Sequence, residues 1–163
     1  MKEWKSFEEE RTGARKKALV LLTDMDRTEK GLRDKLARSG FSPAAVDDAV
    51  EYVRGYGYIN DERYAAHFVE VMQSRKSRRR MEYDLSKKGL SREMVDKAME
   101  ESGPRDERPL IRELAMKKAR HLDKEDPKSL SKIAAYLSRQ GFRTEDIFCV
   151  LDEPGIFGDN DIE

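Results

Sequence analysis

Apolar residues recur along the chain in pairs four positions apart, and the pairs themselves recur. Leu32 and Leu36 precede Gly40, Met81 and Leu85 precede Gly89, and Ile133 and Leu137 precede Gly141. Each glycine is followed by an apolar residue (Phe41, Leu90 or Phe142) and then by a second pair: Val46/Val50, Val95/Met99 and Ile147/Leu151. A spacing of four places both members on one helical face. The glycines stand 49 and 52 residues apart, a period that marks one supersecondary unit used three times. Each unit therefore predicts a helix, a glycine corner and a second helix. Glycine suits the left-handed position that ends a helix, and the apolar residue after it folds back onto that helix. Thr28, Ser77 and Ser129 stand where caps of the first helices belong. In the first unit Ser42 caps the second helix and Pro43 opens it, where a missing N–H costs nothing.

A further amphipathic stretch precedes each unit. The first runs over roughly 14–25, with Ala14, Ala18, Leu21, Leu22 and Met25 on one stripe. The second starts near Asp61 and carries Tyr64, Phe68, Val71 and Met72. The third starts near Leu110 and carries Ile111, Leu114, Ala115, Ala119 and Leu122. In 55-GYGYINDERY-64, Asn60 reads as an N-cap and Ile59/Tyr64 as a hydrophobic staple. No segment alternates like a half-buried strand. The pattern predicts an all-α chain of nine helices in three tandem three-helix repeats, forming an elongated, curved array. An N-terminal extension spans 1–13, the repeats span 14–60, 61–104 and 105–152, and an acidic disordered tail spans 153–163. Trp4 reads as a packing anchor for the extension. The two prolines of 102-SGPRDERP-109 predict a looser joint before the third repeat. A module of about 45 residues buries too little surface to stand alone, so neighbours are expected to pack on one another.

Composition sharpens this picture. Charged residues make up 40% of the chain and hydrophobic residues 37%, which suits thin helical modules with wet outer faces. The 33 basic residues balance 33 acidic ones, so a uniformly basic nucleic-acid coat is excluded. Cys149 is the only cysteine, which leaves no intrachain disulfide and fits a cytosolic compartment. The opening MKEWKSFEEERTG has no apolar core of a leader, and no apolar run approaches the roughly 18–20 residues of a membrane span. A cytoplasmic monomer without membrane contact is the expectation.

Candidate chemistry is sparse. His67 and His121 fall in different modules. His67 is expected at a core rim, and Cys149, within Ile-Phe-Cys-Val-Leu, as a small buried hydrophobe. Metal-ligand, Walker A and dinucleotide patterns are missing, so no catalytic, cofactor or metal site is expected and the chain does not read as an enzyme.

Charge is instead concentrated in one place. Residues 75–92 hold eight bases and two acids, whereas 145–163 hold seven acids and no Lys or Arg. Ser77 as N-cap puts Arg78, Arg79 and Arg80 in a first helical turn, the pole that normally attracts carboxylates; each base there costs about 0.3–1 kcal/mol. The equivalent turns 29-EKG-31 and 130-LSK-132 show no such crowding. One alternative is a solvated face laced with salt bridges such as Arg78–Glu82 and Arg80–Asp84, yet two acids do not neutralise eight bases. The asymmetry points to an anion outside the chain. A helix-turn-helix DNA reader fails a simple test: the helices after the glycine corners carry Asp47, Asp48 and Glu51, then Glu93, Asp96 and Glu100, then Glu145 and Asp146, which repel phosphates where a recognition helix needs basic and amide groups. The basic face lies on the preceding helix and suits phosphates or acidic protein surface alike.

The string 57-GYINDERYAAHFVE-70, the run 75-RKSRRRMEYDLSKKGL-90 and the opening 27-RTEKGLRDKLARSGF-41 resemble the RecX family of bacterial recombination regulators, over roughly residues 14–152. The resemblance implies tandem three-helix repeats and a regulator of the RecA recombinase rather than an enzyme. It implies binding to RecA and to its nucleoprotein filament with single-stranded DNA, in the helical groove. It further implies inhibition of ATPase and strand exchange and altered filament stability, in DNA repair and the SOS response. Where that family's pattern has glycine after the basic residue, this chain has Ser77, which tightens the helix start. The expected filament-facing residues are Arg75, Lys76, Arg78, Arg79, Arg80, Lys87 and Lys88, because guanidinium forks suit carboxylate and phosphate. Direct contact with DNA stays open, and a helical module that binds DNA without a recombinase partner is the rival reading. An adaptor for an unrelated partner is the third.

Overall fold

The computed structural model describes residues 3–158 and, among them, nine α-helices and no strand. They are α1 (Phe7–Asp24), α2 (Glu29–Arg38), α3 (Pro43–Gly55), α4 (Asp61–Met72), α5 (Arg78–Lys87), α6 (Arg92–Glu101), α7 (Arg108–Ala119), α8 (Ser129–Arg139) and α9 (Thr144–Leu151). These make three successive helix triplets.

The glycine corners have one geometry. Gly40, Gly89 and Gly141 take φ of 92°, 89° and 92°. The amides of Phe41, Leu90 and Phe142 reach back to the carbonyls of Leu36, Leu85 and Leu137, and each glycine amide bonds the carbonyl three residues earlier. This is the Schellman arrangement, and it turns all three following apolar residues into the interior.

The described residues divide into two compact units. The first holds residues 3–69 with Asp84–Glu101, and the second holds Glu70–Tyr83 with residues 102–158. The second triplet is shared between them: 61–69 of α4, 84–87 of α5 and all of α6 belong to the first unit, while the end of α4 and 78–83 of α5 belong to the second.

In the first unit, α1 packs along α3, and α2 closes the triplet. Ala14, Ala18, Leu32, Leu36, Val50 and Val53 form the centre of its core. The small alanines of α1 allow close approach to α3. The helix begins at Phe7, well before the expected Ala14, so most of the supposed N-terminal extension is helical. Ser6 caps it by accepting from the Glu9 amide, and Glu8, Glu9 and Glu10 fill the first turn, where the dipole favours them. The apolar stripe starts a full two turns later, which is why it gives the wrong start. Trp4 stacks on Phe41 at 5.5 Å between ring centroids. Its ring lies against Gly13, where an added Cβ would come within 2.7 Å of it. Met25, placed on the core stripe by sequence, is exposed beyond the end of α1.

In α4 the buried residues are Ala65 and Val69. The expected stripe of Tyr64, Phe68, Val71 and Met72 is rotated by one position: Tyr64 and Phe68 stack on each other at the rim, and Val71 is exposed. His67 is exposed as well, not at a core rim. Asn60 caps α4 by accepting from the Arg63 amide at 3.0 Å.

In the second unit Ile111, Ala115, Ile133, Leu137, Ile147 and Val150 form the core between α7, α8 and α9. Ile147 and Val150 set the phase of α9, so Phe148 and Cys149 face outward. Cys149 is exposed rather than buried, and its sulfur lies beside Arg108, which also holds Asp106 through Nε at 2.9 Å. Ser129 does not cap α8. It is the first helical residue, buried, and its hydroxyl donates to the Asp123 carbonyl at 2.6 Å. The start of the supposed disordered tail is packed: Ile156 is buried in the core of this unit and Arg112 pairs with Glu153. Residues 159–163, the rest of that tail, lie outside the described residues.

Candidate functional site

The same joint is built once in each unit. In the first, Thr28 caps α2: its hydroxyl oxygen accepts from the Gly31 amide at 3.1 Å and donates to the Lys88 carbonyl at 2.8 Å. The Asp61 carboxylate accepts from the Glu29 amide at 2.9 Å. In the second unit, Ser77 caps α5: its Oγ accepts from the Arg80 amide at 3.0 Å and donates to the Gln140 carbonyl at 2.7 Å. The Glu107 carboxylate accepts from the Arg78 amide at 2.6 Å. Each joint therefore presses a glycine corner against a capped helix start, with one hydroxyl serving both sides. A carboxylate from the head of the next triplet covers the first amide.

Glu107 changes the reading of the arginine-rich turn. Three bases in a first turn cost together about 1–3 kcal/mol, and one charge-assisted hydrogen bond contributes about 1.5–3 kcal/mol. The negative charge that the pole demands thus comes from this chain, not from outside it. The joint at 102–109 is correspondingly held rather than loose: Arg105 Nη2 donates to the Lys76 carbonyl at 3.1 Å. Burial pushes the Arg105 guanidinium below its ordinary value, with Glu107 opposing that shift and Arg78 adding to it. Its Nη1 is buried without a hydrogen-bond partner among the described residues. Asp61 is shifted the other way for the same reason: burial raises its carboxyl above the usual aspartate value, against the pull of Arg54.

The side chains of the turn are a separate matter. Arg78 meets Glu82 only at 3.6 Å, and Arg79 makes no ion pair with any described residue. Arg80 lies over the Tyr83 ring, 5.6 Å from its centroid. Arg75, Arg79 and Arg80 are exposed, and Lys76 and Arg78 half-buried. Of the seven residues named from sequence, these five lie in the second unit. Lys87 and Lys88 belong to the first, where they line a cavity of about 220 Å³ with Arg27, Lys30 and Tyr64. Lys88 Nζ stands 5.9 Å from the Tyr64 ring centroid. The run that looks continuous in sequence is divided between two bodies.

The second unit adds bases that the sequence reading missed. A groove of about 330 Å³ is lined by Arg79, Arg80, Tyr83, Ser138, Arg139, Gln140 and Gly141. A neighbouring cavity of about 430 Å³ has Arg78, Arg79, Arg105 and Arg143 among its walls, together with Glu82, Glu107 and Asp146. The repeat itself carries a signal for Arg139: a basic residue stands two places before each corner glycine, at Arg38, Lys87 and Arg139. Nothing in the local sequence marks Glu107 as the partner of a helix start 29 residues away. Among the described residues no group of three or more His, Cys, Asp or Glu side chains is placed to hold a metal ion, and no helix is long and apolar enough to cross a membrane.

Tandem helix triplets joined through capped helix starts, with an arginine-lined groove, define a repeat protein whose chemistry lies on its surface. Three family models match in order: the first three-helix domain of RecX over residues 14–52, the second over 60–99 and the third over 106–151. The regulatory protein RecX of Caldanaerobacter subterraneus subsp. tengcongensis is 40% identical over 136 residues, covering 82% of this chain and 66% of that one. That of Chlorobium phaeobacteroides is 30% identical over 138 residues, covering 83% of this chain and 89% of its own length. A crystal structure of regulatory protein RecX superposes with a TM-score of 0.75 at 24% identity, over 89% of this chain and 73% of the other. RecX from Lactobacillus salivarius gives 0.70 at 23% identity, over 87% and 94%. These two likenesses concern the fold. The chain belongs to the RecX family of regulatory proteins. It spans just under two thirds of the length of several relatives it matches.

Proposed function

We propose that this chain regulates the RecA recombinase. In this reading it binds RecA and the RecA filament on single-stranded DNA, seated in the helical groove, and lowers ATPase and strand-exchange activity while shifting filament stability during DNA repair and the SOS response. The observation that carries the reading is the ordered match of all three RecX domains along one chain. Arg75, Lys76, Arg78, Arg79 and Arg80 are the proposed contacts from the second unit, and Lys87 and Lys88 those from the first. Exposed guanidinium groups suit an anionic surface, and Arg79 has no carboxylate of its own among the described residues. The deciding experiment titrates the chain into a RecA ATPase assay on single-stranded DNA. Dose-dependent inhibition supports the proposal, and unchanged turnover rejects it.

Direct DNA binding without a recombinase is the second reading. The exposed Tyr83 ring beside Arg80 favours it, because aromatic and guanidinium faces stack bases. Binding to bare single-stranded DNA that equals binding to the filament at physiological salt would decide for it. Its affinity would then fall steeply with added salt.

A further inference from the structure

The groove between the first half of α5 and the α8–α9 corner lies wholly in the second unit, and its lining contains no carboxylate. Arg79 and Arg139 face it from two different helices, and neither makes an ion pair with a described residue. Tyr83 also lines the groove and is 51% exposed. Ser138 and Gln140 add a hydroxyl and an amide. An anion is the ligand this wall fits.

Two kinds of anion compete. A nucleic-acid strand carries a phosphate on every nucleotide and needs a basic track that continues from one site to the next. Here the track stops. The adjoining cavity shares Arg79 but is walled by Glu82, Glu107 and Asp146 as well as by arginines, and the whole chain has no net charge. A strand leaving the groove on that side meets three carboxylates. A polypeptide has no such continuity requirement: it brings a few carboxylates, mixed with apolar and basic groups, and mixed charge is the mark of complementary protein surfaces. Arginine and tyrosine are also the residues enriched at the centres of such contacts.

We infer that this groove receives an acidic polypeptide segment, with Arg79 and Arg139 forking its carboxylates and Tyr83 packing against an adjacent apolar side chain. The inference rests on the proposed function insofar as the segment would belong to the recombinase. It adds Arg139 and Tyr83 to the contact set and chooses protein over phosphate.

The test uses the full chain, a fluorescein-labelled peptide of Glu, Asp and Phe, and labelled oligo(dT), by fluorescence anisotropy at about 0.15 M salt. The wild-type chain is expected to bind the peptide more tightly than oligo(dT). Arg139→Glu and Tyr83→Ala should each weaken the peptide about tenfold, with Arg139→Gln intermediate and the unfolding midpoint of each variant near wild type. Tighter binding of oligo(dT), lost in Arg139→Glu, overturns the choice of protein over phosphate. Peptide binding that is absent, or indifferent to folded Arg139→Gln and Tyr83→Ala, overturns the site. The RecA ATPase assay separates the two proposals. If wild type fails to inhibit while the peptide still depends on Arg139, the recombinase reading falls and the groove stands. If wild type and folded Arg139→Gln and Arg139→Glu inhibit equally and bind the peptide equally, the groove falls and the recombinase reading stands.

Discussion

The carboxylate of Glu107 accepts a 2.6 Å hydrogen bond from the amide of Arg78. It thereby supplies the negative charge that an arginine-filled first turn lacks in its own sequence. Glu107→Ala leaves that amide without its acceptor and the three arginines without a countercharge. The expected loss is about 1–3 kcal/mol of unfolding free energy, read by urea denaturation. Glu107→Gln keeps an acceptor and should lose less than half as much.

The corner glycines offer an internal control. Gly40 and Gly141 share φ of 92°, but an added Cβ meets nothing within 4 Å at Gly40, whereas at Gly141 it comes 2.8 Å from Ser77 Oγ. Gly40→Ala should cost about 1–2 kcal/mol, the backbone penalty of a left-handed residue. Gly141→Ala should cost that and about 1–2 kcal/mol more, because the Ser77–Gln140 hydrogen bond is wedged apart. Equal losses in chemical denaturation would show that the joint yields freely.

Asp61 gives a pH-dependent case. Its carboxyl is raised by burial, so the fold prefers it protonated. Its favourable contribution is complete below the unfolded value of about 3.9 and is lost as pH rises through the higher folded value. Asp61→Asn retains an acceptor for the Glu29 amide without the buried charge. It should match or exceed wild-type stability at neutral pH, with the gap closing in acid. Asp61→Ala should be less stable by about 1 kcal/mol. Thermal melts across the acid range check both.

Trp4 is the only tryptophan, which makes its seat on Phe41 directly observable. Gly13→Ala raises helix propensity by about 1 kcal/mol but puts a methyl against the indole. Trp4 should leave Phe41, with a red-shifted emission and little net change in stability. An unshifted spectrum would mean that the ring finds another way around the methyl.

For the proposed contacts, joint charge reversal of Arg78, Arg79 and Arg80 should leave the helical circular dichroism intact while abolishing inhibition of RecA's ATPase. These side chains are exposed or half-buried, so their removal costs the fold little. Full inhibition by the folded triple variant would reject them as the contact site.

How much of this was legible in the residues follows from the range of the interactions. Helix stops were readable because Gly40, Gly89 and Gly141 end helices through bonds to residues at most five places back. Thr28, Ser42 and Asn60 were readable as caps for the same reason. The start of α1 was not, because a polar cap and three glutamates set it and the apolar stripe begins later. Cys149 and His67 were misplaced by helical phase: a run such as Ile-Phe-Cys-Val-Leu is apolar throughout, and only packing shows which side turns inward. Glu107 joins the arginine turn from 29 residues away, which no local pattern reports, and Arg139 is marked only by the basic residue that stands two places before each corner glycine.

The sharing of the middle triplet bears on the order of events at the ribosome. The first unit lacks its last piece until Glu101 has been made, and Glu70–Tyr83 is laid down well before the residues that complete its own unit. A nascent chain halted at Glu101 would carry an arginine-rich helix start whose hydroxyl and first amide still await Gln140 and Glu107.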